Sequence, residues 1–253
     1  MDFGLQTFTI RKIQKKNIEL AYQKLYEMKI TNLEIARIKF TKNNAYKIKQ
    51  LIDKFRLTPV AIQVKPKEVF NKVDNIVEFC NIIGCKNVII SMLPFDCILG
   101  SEKNFYRFID SLDEYFKIYQ KYEITLGYHH HNWEYIKLSN GKTRMEELLS
   151  RTTQIRFVHD TYWTSRCGID PVKQINEFGT RLLGVHLRDL TFFKKNLNVV
   201  PIDCAIGDGV IDFSRIILSL KDTNCQYMVI EQNTDNPYKE IKKSLDFLKK
   251  LNQ

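Results

Sequence analysis

Ile155-Arg156-Phe157-Val158-His159-Asp160 is a short run rich in apolar and β-branched residues that stops on a carboxylate. Its composition and length predict a buried strand. Seven other runs share this build, at residues 3–10, 32–36, 59–64, 87–93, 123–129, 182–187 and 226–231. Between them lie segments of helical periodicity. Val69, Phe70, Val73, Ile76, Val77, Cys80 and Ile83 keep helical spacing, with Pro66 suited to the first turn and Gly84 to the end of one helix. Phe105, Phe108, Ile109, Leu112, Tyr115, Phe116 and Tyr119 form a second stripe, and Ile241, Leu245, Leu248 and Leu251 a third. Eight strand–helix units predict a parallel sheet closed into a (β/α)8 barrel. A doubly wound open sheet would want a glycine-rich turn after its first strand. Thr9-Ile10-Arg11-Lys12 stands there instead.

The composition agrees. A (β/α)8 barrel needs roughly 250 residues, and 253 residues with 44% hydrophobic content can fill one core. No linker marks a second domain, so residues 1–253 read as one unit. The formal charge of +10 comes from scattered lysines rather than a basic block interleaved with aromatics, so no nucleic-acid partner is expected. No apolar stretch reaches the ~20 residues of a membrane helix. Six cysteines form no C-x-x-C pair, and the first residues lack a charged-then-apolar leader. A cytoplasmic protein with reduced thiols is the expectation.

In such a barrel the carboxyl ends of the strands build the site. Glu34, Gln63, His129, Asp160, His186 and Glu231 fall on or at the ends of their runs, where apolar packing does not explain them. Carboxylates and imidazoles together suit a divalent ion such as Mn, Co, Zn, Fe or Mg. Each residue alone has a plainer role. His186 could be a core histidine, Asp160 a helix cap, and Glu231 the partner of Arg188. Asp160, His186 and Glu231 taken together fit one metal site. In Tyr128-His129-His130-His131-Asn132-Trp133-Glu134-Tyr135, strand alternation puts His129 and His131 on one side and His130 on the other. His130 and His159 should therefore face away from the barrel axis.

At these residues the chain resembles the xylose isomerase-like barrel superfamily, in particular its sugar phosphate isomerase/epimerase branch. The resemblance runs nearly end to end. Residues 3–11 resemble the opening strand, Leu33-Glu34-Ile35-Ala36 the second, and residues 128–135 the motif Y-H-x-H-x-x-E-F. Asp160-Thr161-Tyr162-Trp163 followed by Gly168-Ile169-Asp170-Pro171 resembles D-x-Y-W…G-x-D-P. His186-Leu187-Arg188-Asp189 resembles H-L-K-D, residues 207–213 resemble G-E-G-x-x-D-W, and Val229-Ile230-Glu231-Gln232 resembles the final strand.

The resemblance implies one divalent metal ion held by a Glu, an Asp, a His and a second Glu. Asp160, His186 and Glu231 match the last three. His129 stands where the epimerases carry a carboxylate, so either His129 or Glu134 would be the fourth ligand. Glu231 with His131 or His129 would then be the acid/base pair, acting through an enediolate on a small sugar-like substrate. Isomerisation or epimerisation is implied, with elimination of the inosose dehydratase or keto-sugar lyase kind as the alternative. Glu34, Trp133, Trp163 and Arg188 are expected at the substrate. The tryptophans could instead pack the barrel mouth, and Arg188 could instead orient Glu231 and Asp160.

Two rivals remain. A type-IV abasic endonuclease would use histidines from early strands, and none precedes His129. A non-catalytic barrel would explain the missing glutamate but not the retention of the other three residues. Pair formation is common in the superfamily, which makes a homodimer an expectation.

Overall fold

A computed structural model describes residues 2–195 and 198–251. Eight parallel strands close into a barrel. They are β1 (Phe3–Gln6), β2 (Asn32–Ile35), β3 (Thr58–Val64), β4 (Asn87–Ile90), β5 (Thr125–His129), β6 (Arg156–Asp160), β7 (Leu182–Leu187) and, after a hairpin, β10 (Tyr227–Ile230). β1 pairs with both β2 and β10, which closes the ring. Each of the eight runs read from sequence coincides with one of these strands, β3 beginning one residue earlier, at Thr58.

The boundaries move for local reasons. The first run was expected to extend to Ile10, but Thr7–Ile10 is a 3-10 turn. The Gln6 side chain accepts the Phe8 N–H there, so the backbone leaves the ladder. Glu123 was expected to open the fifth strand, yet it has φ 58° and ends the preceding helical turn. The helix expected from Pro66 to Gly84 is two helices, Pro66–Asn71 and Val73–Ile83, parted where Lys72 leaves helical dihedrals.

The core has two compartments. The larger lies between sheet and helices, where Phe105, Phe108, Ile109, Leu112, Phe116 and Tyr119 of helix Glu102–Gln120 are buried. The smaller fills the lumen with Ala61, Ile89, Val158, Tyr227 and Val229. Strand residues face the lumen alternately, so continuing each alternation upward brings His129, Asp160, His186 and Glu231 to the mouth. Gly184 faces Tyr227 across the ladder. A Cβ at Gly184 would lie 2.4 Å from the tyrosine ring, so only glycine leaves room for that ring.

A two-stranded antiparallel hairpin rises after β7, from β8 (Asp189–Lys195) and β9 (Asn198–Cys204). The loop after it is nailed to the barrel by Asp189. This buried carboxylate accepts N–H bonds from Gly207 and Gly209 at 3.0 Å each and from Ile211 at 3.2 Å. A Cβ on Gly209 would meet the carboxylate at 2.2 Å. The motifs at 186–189 and 207–213 are thus two halves of one fastening. No helix among the described residues is long and apolar enough to cross a membrane.

Candidate metal centre

Four strand ends converge at the mouth. His129, Asp160, His186 and Glu231 are all buried, and each offers a ligand atom within 4.8 Å of the other three. His186 lies between two carboxylates, with Nδ1 2.9 Å from Glu231 Oε2 and Nε2 2.9 Å from Glu34 Oε1. His129 Nε2 is 3.4 Å from Asp160 Oδ2. Arg188 closes the group from the side. Its Nη1 reaches Glu231 Oε1 at 3.0 Å and Asp160 Oδ2 at 3.3 Å, and its Nη2 reaches Asp203 Oδ2 at 2.6 Å.

The donors suit a cation. Both ring nitrogens of His129, both of His186, and Glu231 Oε2 are buried without an aligned hydrogen bond among the described residues. Buried polar atoms are normally satisfied, and a divalent ion among two imidazoles and two carboxylates would satisfy these together. The charges point the same way. Burial works against ionising Asp160, yet Arg188 and then His129 hold it well below the usual carboxylate range. Glu231 is lowered likewise against its burial, by Arg188 and then His186. Burial would lower His186, but Glu34 and Glu231 push it up to about 10. A proton on this imidazole and a divalent cation are alternative counter-charges for the same carboxylates.

The remaining expected residues take different places. Glu134 is buried but outside the group of four. Tyr128 Oη donates to its Oε1, and the His131 N–H donates to its Oε2 at 2.8 Å. Its carboxylate fastens the turn after β5, while His129 stands with the other three. Glu34 is fully buried and accepts a 2.8 Å bond from Tyr227 Oη. It therefore sets His186 from behind. Asp160 also caps helix Thr161–Arg166, accepting the Trp163 N–H at 2.9 Å. Trp163 lies beside His131 with its ring tilted by 46° and centroids 5.2 Å apart, whereas Trp133 packs on the core between sheet and helices.

His131 lies just beyond the strand, 4.8 Å from His129 between ring centroids, and its Nδ1 has no partner among the described residues. Burial, then the neighbouring His129, pushes its pKa down to about 3, so the imidazole is neutral at pH 7. His130 and His159 turn outward and meet each other at 3.3 Å beside Phe178. His130 Nε2 accepts the Asp160 N–H at 3.0 Å, which leaves its proton on Nδ1 toward the His131 carbonyl.

Asp203 was not anticipated. It sits on β9 opposite Leu190 of β8, so the hairpin pairing returns it beside Arg188. The aromatic and β-branched residues on either side of residues 195–198 were the available signal for that hairpin.

The sequence model described as xylose isomerase-like TIM barrel matches residues 24–251. No curated protein matches the chain. Among solved structures, a sugar phosphate isomerase/epimerase from Parabacteroides distasonis superposes with a TM-score of 0.79 at 18% identity, covering 97% of this chain and 92% of that one. A probable 3-DHS dehydratase from Bacillus anthracis, involved in petrobactin synthesis, gives a TM-score of 0.73 at 13% identity over 98% and 99%. A xylose isomerase-like TIM barrel protein from Mycobacterium smegmatis, in complex with magnesium, gives 0.69 at 8% identity over 92% and 87%. At these identities the likeness shows the fold.

Proposed function

The chain belongs to the xylose isomerase-like TIM barrel family, and on that premise we propose that it is a divalent-metal-dependent enzyme that isomerises or epimerises a keto-sugar or sugar phosphate. One observation carries the reading: His129, Asp160, His186 and Glu231 offer four buried ligand atoms within 4.8 Å of one another. A divalent ion held there supplies Lewis acidity to a carbonyl and a neighbouring hydroxyl.

The residues divide the remaining work. Glu231, kept ionised by Arg188 and His186, takes the proton from the carbon beside the carbonyl and leaves an enediolate. His131 is neutral, has a free Nδ1 and stands next to the cluster, so it is the partner that exchanges a proton on the other side. Trp163 forms the wall beside it. A proton delivered by His131 to the opposite face of the same carbon inverts that centre, and protonation of the neighbouring carbon shifts the carbonyl.

Elimination is the second reading. His129 in the first ligand position leaves Glu231 without an opposing ligand carboxylate. Loss of a β-hydroxyl or glycosyl group from the same enediolate then needs only Glu231 as base and a histidine as acid. The likeness to a probable dehydratase supports it.

Protein loaded with Mn, Co, Zn, Mg or Fe and incubated with keto-sugars, their phosphates and inosose in heavy water separates these outcomes. Deuterium beside the carbonyl of an intact sugar supports the first reading, and release of water or an aglycone supports the second. A chain that takes up none of these metals would sink both.

A further inference from the structure

Arg188 was one candidate for holding an anionic substrate, but its guanidinium is already engaged by Asp160, Glu231 and Asp203. Two other arginines stand at the same end of the barrel without such partners. Arg11 follows β1, and Arg37 follows β2. Both guanidiniums lie against one aromatic ring, with the Arg11 Cζ 3.8 Å and the Arg37 Cζ 5.0 Å from the Phe8 centroid. Like charges gathered on one ring repel each other. Neither arginine forms an ion pair among the described residues, although Lys12 next door pairs with Asp235 at 2.6 Å. Arg11 donates only to neutral acceptors, the Phe8 carbonyl at 2.9 Å and the Asn233 side chain at 2.5 Å. Burial and the nearby Arg37 lower its pKa, and it also senses Glu231 and Arg188. Arg11 is therefore within electrostatic reach of the cluster.

The backbone at Arg37 is a second, independent observation. Its φ is 61°, in the left-handed region. Lys29, Arg56 and Glu123 share that conformation, but each closes a helix, where it is ordinary. Arg37 stands alone on a strand-end loop. Backbone strain of this kind is held in place at binding sites more often than elsewhere. The loop that carries Phe8 is itself anchored to the strand bearing Glu231, because Thr9 Oγ1 accepts the Gln232 N–H at 3.0 Å. The segment leading into Arg11 is thus tied to the strand end that carries Glu231.

We infer that the substrate ends in an anionic group, phosphoryl or carboxylate, which Arg11 and Arg37 hold at the rim beside Phe8 while the rest of the molecule reaches the cluster. The inference rests on the barrel mouth being the substrate site proposed above. It names the substrate class within that proposal as acidic rather than neutral. Guanidinium forks are matched to both anions.

The test uses chelator-treated full-length protein, so that no anion binds through a metal. Inorganic phosphate and, separately, acetate are titrated calorimetrically into wild type, Arg11→Gln, Arg37→Gln and Lys12→Gln. Wild type should bind one of the two anions at a single site. Each arginine variant should weaken binding by about tenfold or more, and Lys12→Gln should not. The tighter anion distinguishes a phosphorylated from a carboxylated substrate. Should Arg11→Gln fail to fold, the exposed Arg37 still decides the matter. Absence of saturable binding of either anion, or equal weakening in all three variants, overturns the inference. Metal content is measured on the same proteins. A barrel that takes no metal but binds phosphate through both arginines would end the proposed function and leave this inference standing.

Discussion

Arg188 Nη2 meets Asp203 Oδ2 at 2.6 Å, so a residue of the hairpin holds the arginine that holds two of the cluster's carboxylates. Asp203→Asn keeps the size of the side chain and removes its charge. The barrel should stay folded, because the hairpin lies outside it. Metal affinity or turnover should fall by ~10–100-fold, the usual worth of a group that orients ligands from behind. Metal titration beside circular dichroism checks this. An unchanged affinity and rate would show that Asp160 and Glu231 suffice to hold Arg188.

Removing metal should loosen the protein without unfolding it. An ion present at one hundred times its dissociation constant adds about 2.7 kcal/mol to the native state. For a chain of this size that is a rise in Tm of roughly 5–10 °C. Thermal melts with chelator and with added Mn or Zn measure it. His186→Ala should abolish the difference between the two melts, because it removes one of the four ligands. A His186→Ala protein that still responds to metal would place the ion elsewhere.

His131→Asn tests the proton partner. The variant should keep its metal, since His131 is outside the group of four. Activity should fall by ~10²–10⁴, the range for a positioned acid or base. Near-normal turnover would move the role to His129.

A fourth expectation concerns stability far from the mouth. Asp113 on helix Glu102–Gln120 fastens the chain entering β6. It accepts N–H bonds from Thr153 at 2.6 Å, Gln154 at 2.9 Å and Ile155 at 3.0 Å, with a further bond from the Thr153 hydroxyl at 3.0 Å. Although partial burial opposes ionisation, these donors together lower its pKa. Its stabilisation is therefore full above the unfolded aspartate value of about 3.9 and is lost as pH falls through the lower folded value. Asp113→Asn should cost about 1–2 kcal/mol at pH 7, and the gap to wild type should shrink below about pH 4. Urea titrations at pH 7 and pH 3 read both numbers. A gap that is constant with pH would mean that shape, not charge, fastens the loop.

The barrel was legible because each strand repeats one short apolar run, and closure follows from the number of units. The members of the cluster were legible because a carboxylate or imidazole at a strand end has no packing reason to be there. Four features were hidden for different reasons. The hairpin lies outside the repeating pattern and exposes Phe192 and Phe193, so neither core alternation nor helical spacing marks it. Asp203 meets Arg188 through that fold-back, which residue spacing does not encode. Glu134 looked like a ligand until the turn after β5 had a shape. Its two oxygens are then taken by Tyr128 and the His131 N–H. Glu34 showed as a polar strand residue, but its position behind His186 depends on the height of Tyr227 in the lumen.

That height has a consequence for how the centre could change over time. Tyr227 stands where it does because Gly184 leaves it space, and its hydroxyl carries Glu34. A single methyl at Gly184, two residues below His186 on the same strand, would push on the ring and shift the carboxylate set against His186. The reactivity of the mouth can therefore be retuned from beneath, through a column of buried side chains. Directed evolution confined to the surrounding loops would leave that adjustment unexplored.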